Sequence, residues 1–321
     1  MTVLEVKDLR TTFKTEIGEL VAVNDISFSL DKGQIMGLVG ESGSGKTVTG
    51  FSLIGLVSPP GWVSGGSIRL QGQELRGLPE NEMRRLRGNR IAMIFQDPMS
   101  TLNPVLRVDT QMIETVLAHQ DISWREAWQM SRDALGMVGI PSPEERLRCY
   151  PHQFSGGMRQ RVAIAIAMLH KPDLIIADEP TTALDVTIQA QILAMVQNLA
   201  SASGTSLIWI THDLSVVSGI ADNLAVMYAG NIVESGPVAE VLYDPRHPYT
   251  EGLIASLPSS ARKGEPLRQI DGLAPSLARM PAGCAFRPRC PVATDACLQT
   301  PKPVTQGARQ FLCFNAQQGG R

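Results

Sequence analysis

The residues with the clearest chemical signature form one short stretch, Gly40-Glu41-Ser42-Gly43-Ser44-Gly45-Lys46-Thr47. Glycine tolerates backbone conformations that a side chain forbids, so such a loop can turn consecutive N–H groups inward onto phosphate oxygens. The lysine would bind the β- and γ-phosphates as a point charge, and the threonine hydroxyl would occupy one position on an octahedral Mg²⁺. The stretch therefore predicts a phosphate-binding loop.

The flanking residues supply the elements that such a loop needs. The apolar run Ile35 to Val39 precedes it and predicts a buried strand, and a helix is predicted to begin at Lys46. The N-terminal end of that helix would add a positive dipole end to the site. This strand–loop–helix context favours a phosphate site over a flexible Gly/Ser turn.

Two adjacent carboxylates follow a second apolar strand. The run Leu174 to Ala177 predicts a buried strand, and Asp178 and Glu179 come at its end. Ligands of open α/β sheets bind outside the carboxyl ends of the strands. Asp178 is suited to hold Mg²⁺ and Glu179 to orient and polarise an attacking water molecule.

Three further motifs allow a structural and a functional interpretation. Ser155-Gly156-Gly157 begins a helix, either as a plain N-cap or as a second anion-binding end. His212 follows the predicted strand Ser206 to Ile210, either as a structural hydrogen-bond partner or as a catalytic group on the same sheet edge. Phe13 lies between predicted strands, either in the core or stacked on a nucleobase.

The composition limits the class of protein. The chain has 321 residues, of which 43% are hydrophobic and 19% charged, enough for a nucleotide-binding core and a smaller appendage. A formal net charge of -2 gives no electrostatic reason to expect nucleic acid as a partner. The longest apolar run, Val162 to Leu169, is far shorter than the ~20 residues of a membrane span.

The N-terminal residues and the cysteines indicate the cellular compartment of the chain. Met1 to Leu9 alternates polar and apolar residues and resembles neither a secretory signal nor a transit peptide. We therefore expect a soluble chain whose five cysteines are reduced thiols or metal ligands in the cytosol.

The remaining periodicity organises the chain. Strands are predicted over Val3 to Leu9, Val21 to Leu30 and Ile91 to Phe95, and a helix over Thr187 to Ala202. From Val108 to Ile140 the apolar residues recur at helical spacing, which predicts a long helical insertion within an α/β domain.

Taken together, these motifs resemble the ATPase subunits of ATP-binding cassette (ABC) transporters, over roughly Val3 to Leu257. The resemblance implies an α/β fold: a P-loop ATP-binding cassette with a RecA-like core, an antiparallel β subdomain and a helical insertion at about 108–170. It implies a cassette domain over residues 1–257 and a small irregular, Cys-rich C-terminal region over residues 258–321.

The same resemblance implies a role for each motif in binding or hydrolysing ATP with Mg²⁺. These roles are adenine stacking for Phe13, the Walker A loop for Gly40 to Thr47, the Q-loop for Gln96, the signature for Ser155-Gly156-Gly157, Walker B for Asp178, the catalytic base for Glu179, the D-loop for Asp185 and the γ-phosphate switch for His212. Thr47, Gln96 and Asp178 would hold the Mg²⁺. One departure is Met158, where the family usually has Gln.

The tail resembles a narrower branch, the oligopeptide, dipeptide and nickel importers. The residues that carry this resemblance are Arg246-His247-Pro248-Tyr249-Thr250 and then Cys284, Cys290, Cys297 and Cys313. It implies a heterodimer with a second homologous ATPase subunit, two membrane permease subunits and an extracytoplasmic solute-binding protein. The chain would be peripheral, on the cytoplasmic face of the inner membrane, with no nucleic acid partner.

The four tail cysteines are candidate metal ligands. Gaps of five, six and fifteen residues between them lack the short knuckle typical of structural zinc. Four thiolates are also what a 4Fe-4S iron–sulfur cluster requires. The resemblance favours the cluster, and zinc or unligated thiols are the alternatives.

The number of motifs predicts an assembly. The chain has one Walker A loop and one signature, whereas the resembled family binds each ATP between the Walker A of one subunit and the signature of another. We therefore expect a dimer of cassettes that ATP closes and hydrolysis reopens.

The rival interpretation is a soluble ABC ATPase that acts on ribosomes or DNA, and the chain has neither the second cassette nor the coiled coil expected of one. A redox protein would leave the nucleotide motifs unexplained.

Overall fold

The computed structural model describes residues 1–182, 184–257 and 268–316, which divide into two compact units. The first unit contains residues 1, 31–33 and 77–208, and the second contains residues 2–30, 34–76 and the described residues from 209 onward.

The described part of the chain forms strands and α-helices in the following order: β1 (Thr2–Thr15), β2 (Gly18–Asp31), β3 (Ile35–Val39), α1 (Lys46–Leu53), β4 (Gly61–Leu70), β5 (Gln73–Glu74), α2 (Glu80–Leu86), β6 (Ile91–Ile94), α3 (Pro98–Thr101), α4 (Val108–Leu117), α5 (Trp124–Met137), α6 (Pro143–Leu147), α7 (Gly156–Met168), β7 (Leu174–Asp178), α8 (Val186–Ser203), β8 (Ser206–Thr211), α9 (Leu214–Ser218), β9 (Asn223–Tyr228), β10 (Asn231–Pro237), α10 (Val238–Tyr243), α11 (Pro248–Ala255), β11 (Val304–Gln306) and β12 (Arg309–Phe311).

The second unit contains an antiparallel sheet with the strand order β2-β1-β4-β5. Alternating apolar residues such as Leu4, Val6 and Ile68 are buried, which is the pattern of a strand with one face on a core. The predicted strand at Val3 to Leu9 is confirmed but continues to Thr15. It passes through an irregularity in register next to Asp8, whose φ is 47°.

A further set of strands in the second unit has the order β11-β12-β10-β9-β3. All five residues of β3 are buried, and β3 pairs with β9 in parallel. Such continuous apolar runs are typical of parallel strands that are covered on both faces. The C-terminal residues add the hairpin β11–β12 next to β10, so the tail is less irregular than the sequence predicted.

The first unit contains the strand order β8-β7-β6, and β8 has its last three residues in the second unit. Helices α4 and α5 confirm the predicted helical insertion, with an apolar core that includes Met112, Val116 and Leu135. Ser123 and Glu126 form a capping box that begins α5. Across the described ranges, we find no helix that combines the length and the apolar character needed to cross a membrane.

Candidate active site

In the second unit, the loop between β3 and α1 has backbone shapes that only glycine adopts easily. Gly40, Gly43 and Gly45 have φ angles of 155°, 78° and 104°. A Cβ on Gly40 would lie 2.1 Å from the carbonyl oxygen of Met227, and one on Gly45 would lie 2.6 Å from that of Ala22. Because these neighbours are backbone atoms, a side chain at either position would displace the loop.

Lys46 is the buried cation of this loop, with 5% of its surface exposed. Its Nζ donates to the carbonyl oxygens of Gly40 at 2.8 Å and Glu41 at 2.9 Å, and lies 3.4 Å from Ser44 Oγ. The loop thus wraps around the ammonium group at the start of α1, which Thr47 continues. A phosphate group is bound by a positive charge, by the N-terminus of a helix and by consecutive backbone N–H groups of a loop. This loop has all three features, so its residues fit an ATP phosphate.

In the first unit, the structure brings the two candidate groups Gln96 and Glu179 together. Gln96 Nε2 donates to Glu179 Oε2 at 3.2 Å, and Thr182 Oγ1 donates to the same oxygen at 3.0 Å. Asp178, the last residue of β7, is buried with 3% of its surface exposed. Glu179 has a φ of 46°, a left-handed conformation that is uncommon outside glycine and concentrates at functional sites.

The predicted signature residues begin α7 in the same unit. Ser155 is the N-cap, and its side chain accepts from the N–H of Met158 at 3.3 Å. Asp185 is the N-cap of α8 and accepts from the N–H of Ile188 at 3.0 Å. A Cβ on Gly157 would lie 2.8 Å from Ile188 Cγ2, whereas the nearest atom to a Cβ on Gly156 would be 3.7 Å away. Gly157 therefore also has a packing role between α7 and α8.

Phe13 and His212 belong to the second unit, as the phosphate loop does. Phe13 is half-buried in β1 opposite Gly61, where a Cβ would lie 2.5 Å from the ring. The glycine thus leaves room for the phenyl ring on that side. His212 is exposed directly after β8, and the next residue, Asp213, caps α9.

Comparisons with known proteins agree with this geometry. A profile of the family described as "ABC transporter" matches residues 23–182, and one described as "Oligopeptide/dipeptide transporter, C-terminal region" matches residues 233–297. The oligopeptide transport ATP-binding protein OppD of Escherichia coli (strain K12) is 50% identical, over 97% of this chain and 92% of its own length. The chain belongs to the oligopeptide branch of the ABC transporter ATP-binding proteins.

Two further matches extend this result. The oligopeptide transport ATP-binding protein OppD of Bacillus subtilis (strain 168) is 53% identical, over 88% of this cassette chain and 80% of its own length. The dimeric structure of a post-hydrolysis state of the ATP-binding cassette MJ0796 bound to ADP and Pi has the same fold. Its TM-score is 0.66 at 23% identity, over 73% of this chain and 98% of that one. The predicted α/β P-loop cassette and its ATPase activity coupled to transport are confirmed.

One contact at the cassette's phosphate loop was not predicted from the sequence. The side chain of Glu41 accepts two hydrogen bonds from Arg289, and its backbone N–H donates to Tyr249 Oη at 2.9 Å. The sequence did indicate a missing cation, because the carboxylate of Glu41 lies inside a predicted anion-binding loop and needs a positive charge nearby. Residue types and spacing offer no means of choosing that cation among the 29 lysines and arginines.

The structure of the cassette does not support the predicted iron–sulfur cluster on Cys284, Cys290, Cys297 and Cys313. In the described ranges, no three His, Cys, Asp or Glu side chains form a group that could hold a metal ion. All four are free thiols, and burial raises the pKa of Cys284, Cys290 and Cys313, the last to about 11.

Proposed function

We propose that this chain hydrolyses ATP on the cytoplasmic face of the inner membrane and thereby powers peptide import through an ABC transporter. The observation that carries the proposal is the phosphate loop wrapped around Lys46, whose Nζ lies 2.8 Å from the carbonyl oxygen of Gly40. The choice of peptide as cargo is supported by the relatives in Escherichia coli and Bacillus subtilis, which are named oligopeptide transport proteins.

The second unit would bind the nucleotide. The N–H groups of Ser42, Gly43, Ser44 and Gly45 would bind phosphate oxygens, and Lys46 would turn from the loop carbonyls to the β- and γ-phosphates. Phe13 would stack on the adenine ring, for which its half-buried position leaves one part of the ring accessible. His212 would contact the γ-phosphate.

The first unit would supply the hydrolytic groups. Its residues Gln96 and Asp178 would hold Mg²⁺, which would neutralise charge that develops on the β- and γ-phosphates. Glu179 would accept a proton from the attacking water and orient it in line with the γ-phosphate. The hydrogen bonds from Gln96 and Thr182 at 3.2 and 3.0 Å restrict the orientation of that carboxylate.

A second, homologous ATPase subunit would complete each site. Ser155, Gly156, Gly157 and Asp185 would act on the nucleotide bound by the partner cassette, because the sequence contains one Walker A loop and one signature. We propose a heterodimer, with residues 1–257 as the cassette domain and residues 258–321 as an appended C-terminal region.

Two membrane permease subunits would bind the first unit near Gln96. Large apolar side chains of that unit are exposed, among them Met99 at 43%, Val105 at 76% and Trp124 at 59%. Met99 and Val105 lie three and nine residues after Gln96 in the sequence, so exposed apolar side chains follow the proposed contact residue closely. An extracytoplasmic solute-binding protein would deliver the peptide to the permeases.

The 4Fe-4S cluster remains a prediction without structural support. Its test is the iron and acid-labile sulfide content of protein purified without oxygen, compared with a Cys290→Ser variant. Equal amounts of iron and sulfide in the parent protein, and their loss in the variant, would restore it. Metal-free protein would leave the cysteines as plain thiols.

Purification of the tagged chain from detergent-solubilised membranes tests the proposed assembly. We expect a second cassette and two permease subunits to copurify. Recovery of ribosomes or DNA without a permease would favour the rival function, a soluble ABC ATPase.

A further inference from the structure

An ion pair joins the phosphate loop to the C-terminal region of the same unit. The two terminal guanidinium nitrogens of Arg289, Nη1 and Nη2, donate to the two carboxylate oxygens of Glu41 at 2.7 and 3.0 Å. The pair is well shielded, with 6% of the Arg289 side chain and 30% of the Glu41 side chain exposed. Such a two-pronged, poorly hydrated pair is much less screened by salt than a surface ion pair.

The tail also fixes the orientation of Arg289. Its Nε donates to the carbonyl oxygen of Asp271 at 2.8 Å, and its guanidinium carbon lies 6.0 Å from the ring centre of Phe286. Phe286 in turn packs on Tyr228 and Tyr249, with ring centres 5.2 and 5.4 Å away. Groups outside the phosphate loop therefore hold the guanidinium, so its position does not depend on Glu41 alone.

The second anchor acts on the loop backbone. Tyr249 is fully buried, and its Oη accepts the N–H of Glu41 at 2.9 Å. This bond fixes the peptide group between Gly40 and Glu41. The direction of the N–H groups that follow in the loop depends on the orientation of this peptide group. Arg289 and Tyr249 thus hold the side chain and the backbone of the same loop residue.

The charge at Glu41 explains why such a pair is needed. A carboxylate in a loop that binds phosphates repels them, and nearby like charges lower the affinity for an anion. Arginine is not deprotonated in proteins, so the Arg289 guanidinium carries a full positive charge beside this carboxylate. Its positive charge offsets the carboxylate.

We propose that Arg289 is a positioning residue for ATP binding, which neutralises Glu41 and holds the phosphate loop in its binding shape. The inference rests on the proposed function, because it assumes that the loop binds ATP. It gives the C-terminal region a direct role in nucleotide affinity.

The test measures MgATP and MgADP dissociation constants by titration calorimetry on the full-length chain. Arg289→Leu leaves the Glu41 carboxylate uncompensated, so we expect affinity for MgATP to fall on the order of tenfold, and less for the less highly charged MgADP. The double variant Glu41→Gln with Arg289→Leu should regain most of that affinity. The MgATP affinity of Arg289→Lys should lie between those of the parent chain and Arg289→Leu, because lysine keeps the charge but cannot make the paired hydrogen bonds.

Arg279→Leu is the matched control, since Arg279 is an exposed arginine of the same region. Circular dichroism and thermal unfolding check that each variant is folded. If Arg289→Leu does not fold, Arg289→Lys carries the test against the Arg279→Leu control: weaker MgATP binding by the lysine variant supports the proposal, and binding equal to that of the control contradicts it.

The outcomes separate two failures. Absence of MgATP binding by the parent chain contradicts the proposed function itself. Binding by the parent chain that is unchanged in Arg289→Leu contradicts only the role of Arg289. Loss in Arg289→Leu that Glu41→Gln does not relieve, or that is equal for the two nucleotides, means that Arg289 stabilises the fold and does not act through charge.

Discussion

Gln96 Nε2 donates a hydrogen bond to Glu179 Oε2 over 3.2 Å, joining a residue just after β6 to the carboxylate after β7. The two side chains are 83 positions apart in the chain and were predicted separately, one as a Q-loop residue and the other as a base. Their contact means that a movement of Gln96 changes the orientation of the carboxylate. This offers a physical route to hydrolysis from the permease that we propose to bind near Gln96.

Replacement of the base tests the chemistry. Glu179→Gln keeps the shape of the side chain and one acceptor oxygen, to which Gln96 and Thr182 can still donate, but it cannot act as a base. We expect turnover to fall at least ~100-fold while MgATP binding is kept, since general base assistance is typically worth that much. Phosphate release and calorimetric binding are the measurements.

Glu82→Gln, the same substitution at an exposed position of α2, is the control. A Glu179→Gln protein that hydrolyses ATP at the normal rate, free of contaminating ATPases, would contradict the assignment.

The shape of the phosphate loop can be tested with alanine. Gly40→Ala puts a Cβ at 2.1 Å from the carbonyl oxygen of Met227, so the loop must shift. We expect MgATP affinity to fall at least ~10-fold, because the N–H groups of a shifted loop no longer point at the phosphate oxygens. Titration calorimetry measures the change.

Gly18→Ala is the matched variant, because Gly18 has a φ of 118° and a Cβ added there would meet no neighbouring atom within 4 Å. It should cost about 1 kcal/mol of stability, as strain at a positive φ does, and leave nucleotide affinity unchanged. Equal affinities in the two variants would contradict this account, because they would mean that the contact with Met227 does not determine the loop shape that binding needs.

A buried histidine predicts how stability depends on pH. Burial lowers the pKa of His247 from 6.5 to about 4, and its Nδ1 accepts the N–H of Tyr249 at the start of α11. The unfolded chain binds a proton at this residue below pH 6.5 and the folded chain does not. Stability from this group is therefore complete above pH 6.5 and is lost as the pH falls toward 4.

The His247→Asn variant keeps a capping acceptor and does not titrate. In urea unfolding, the parent chain should lose about 2 kcal/mol more than this variant between pH 6.5 and pH 5. Parallel losses in the two proteins would mean that His247 does not stay neutral in the fold.

A second ion pair attaches the C-terminal hairpin. Arg309 of β12 donates to the fully buried Glu234 of β10 at 2.8 Å and to Asp244 at 3.1 Å. Arg309→Leu leaves that buried carboxylate unpaired, so we expect the free energy of unfolding to fall by about 3–5 kcal/mol. Urea unfolding measures the loss.

The double variant Glu234→Gln with Arg309→Leu should be more stable than Arg309→Leu alone, because no unpaired charge remains. A single variant as stable as the parent chain would mean that the pair does not hold the hairpin.

Local chemistry explains what the sequence predicted well. The phosphate loop needs glycines and a lysine in fixed order, and the structure has Lys46 at the start of α1. Helix α8 was predicted within a residue at each end, since Asp185 caps its start and Gly204, with a φ of 68°, ends it. Capping depends on neighbours in sequence, so a sequence pattern is enough to find it.

Long-range pairing explains what the sequence could not predict. Arg289 and Glu41 are 248 positions apart, and no local pattern connects them. The left-handed backbone of Glu179 follows from the turn after β7, which residue types alone do not specify. Strand β1 was predicted too short, because the positive φ of Asp8 interrupts the alternation on which the prediction relied.

The iron–sulfur cluster predicted on the tail cysteines stays a prediction without support from the structure. Their number and the family branch predicted a ligand set, but the arrangement of side chains depends on how a segment with little periodic apolar sequence packs. In the described part of that segment, short 3₁₀ turns and the β11–β12 hairpin leave no group of three or more ligating side chains.

Peptide uptake by the reconstituted complex tests the central claim most directly. Proteoliposomes would contain this chain, its partner cassette and the two permeases, with MgATP inside, and with the solute-binding protein and a radiolabelled oligopeptide outside. We predict accumulation of the peptide that requires enclosed MgATP and that disappears when this chain carries Glu179→Gln. Accumulation that is equal without MgATP, or equal in the Glu179→Gln complex, would contradict the claim that this chain hydrolyses ATP to power peptide import.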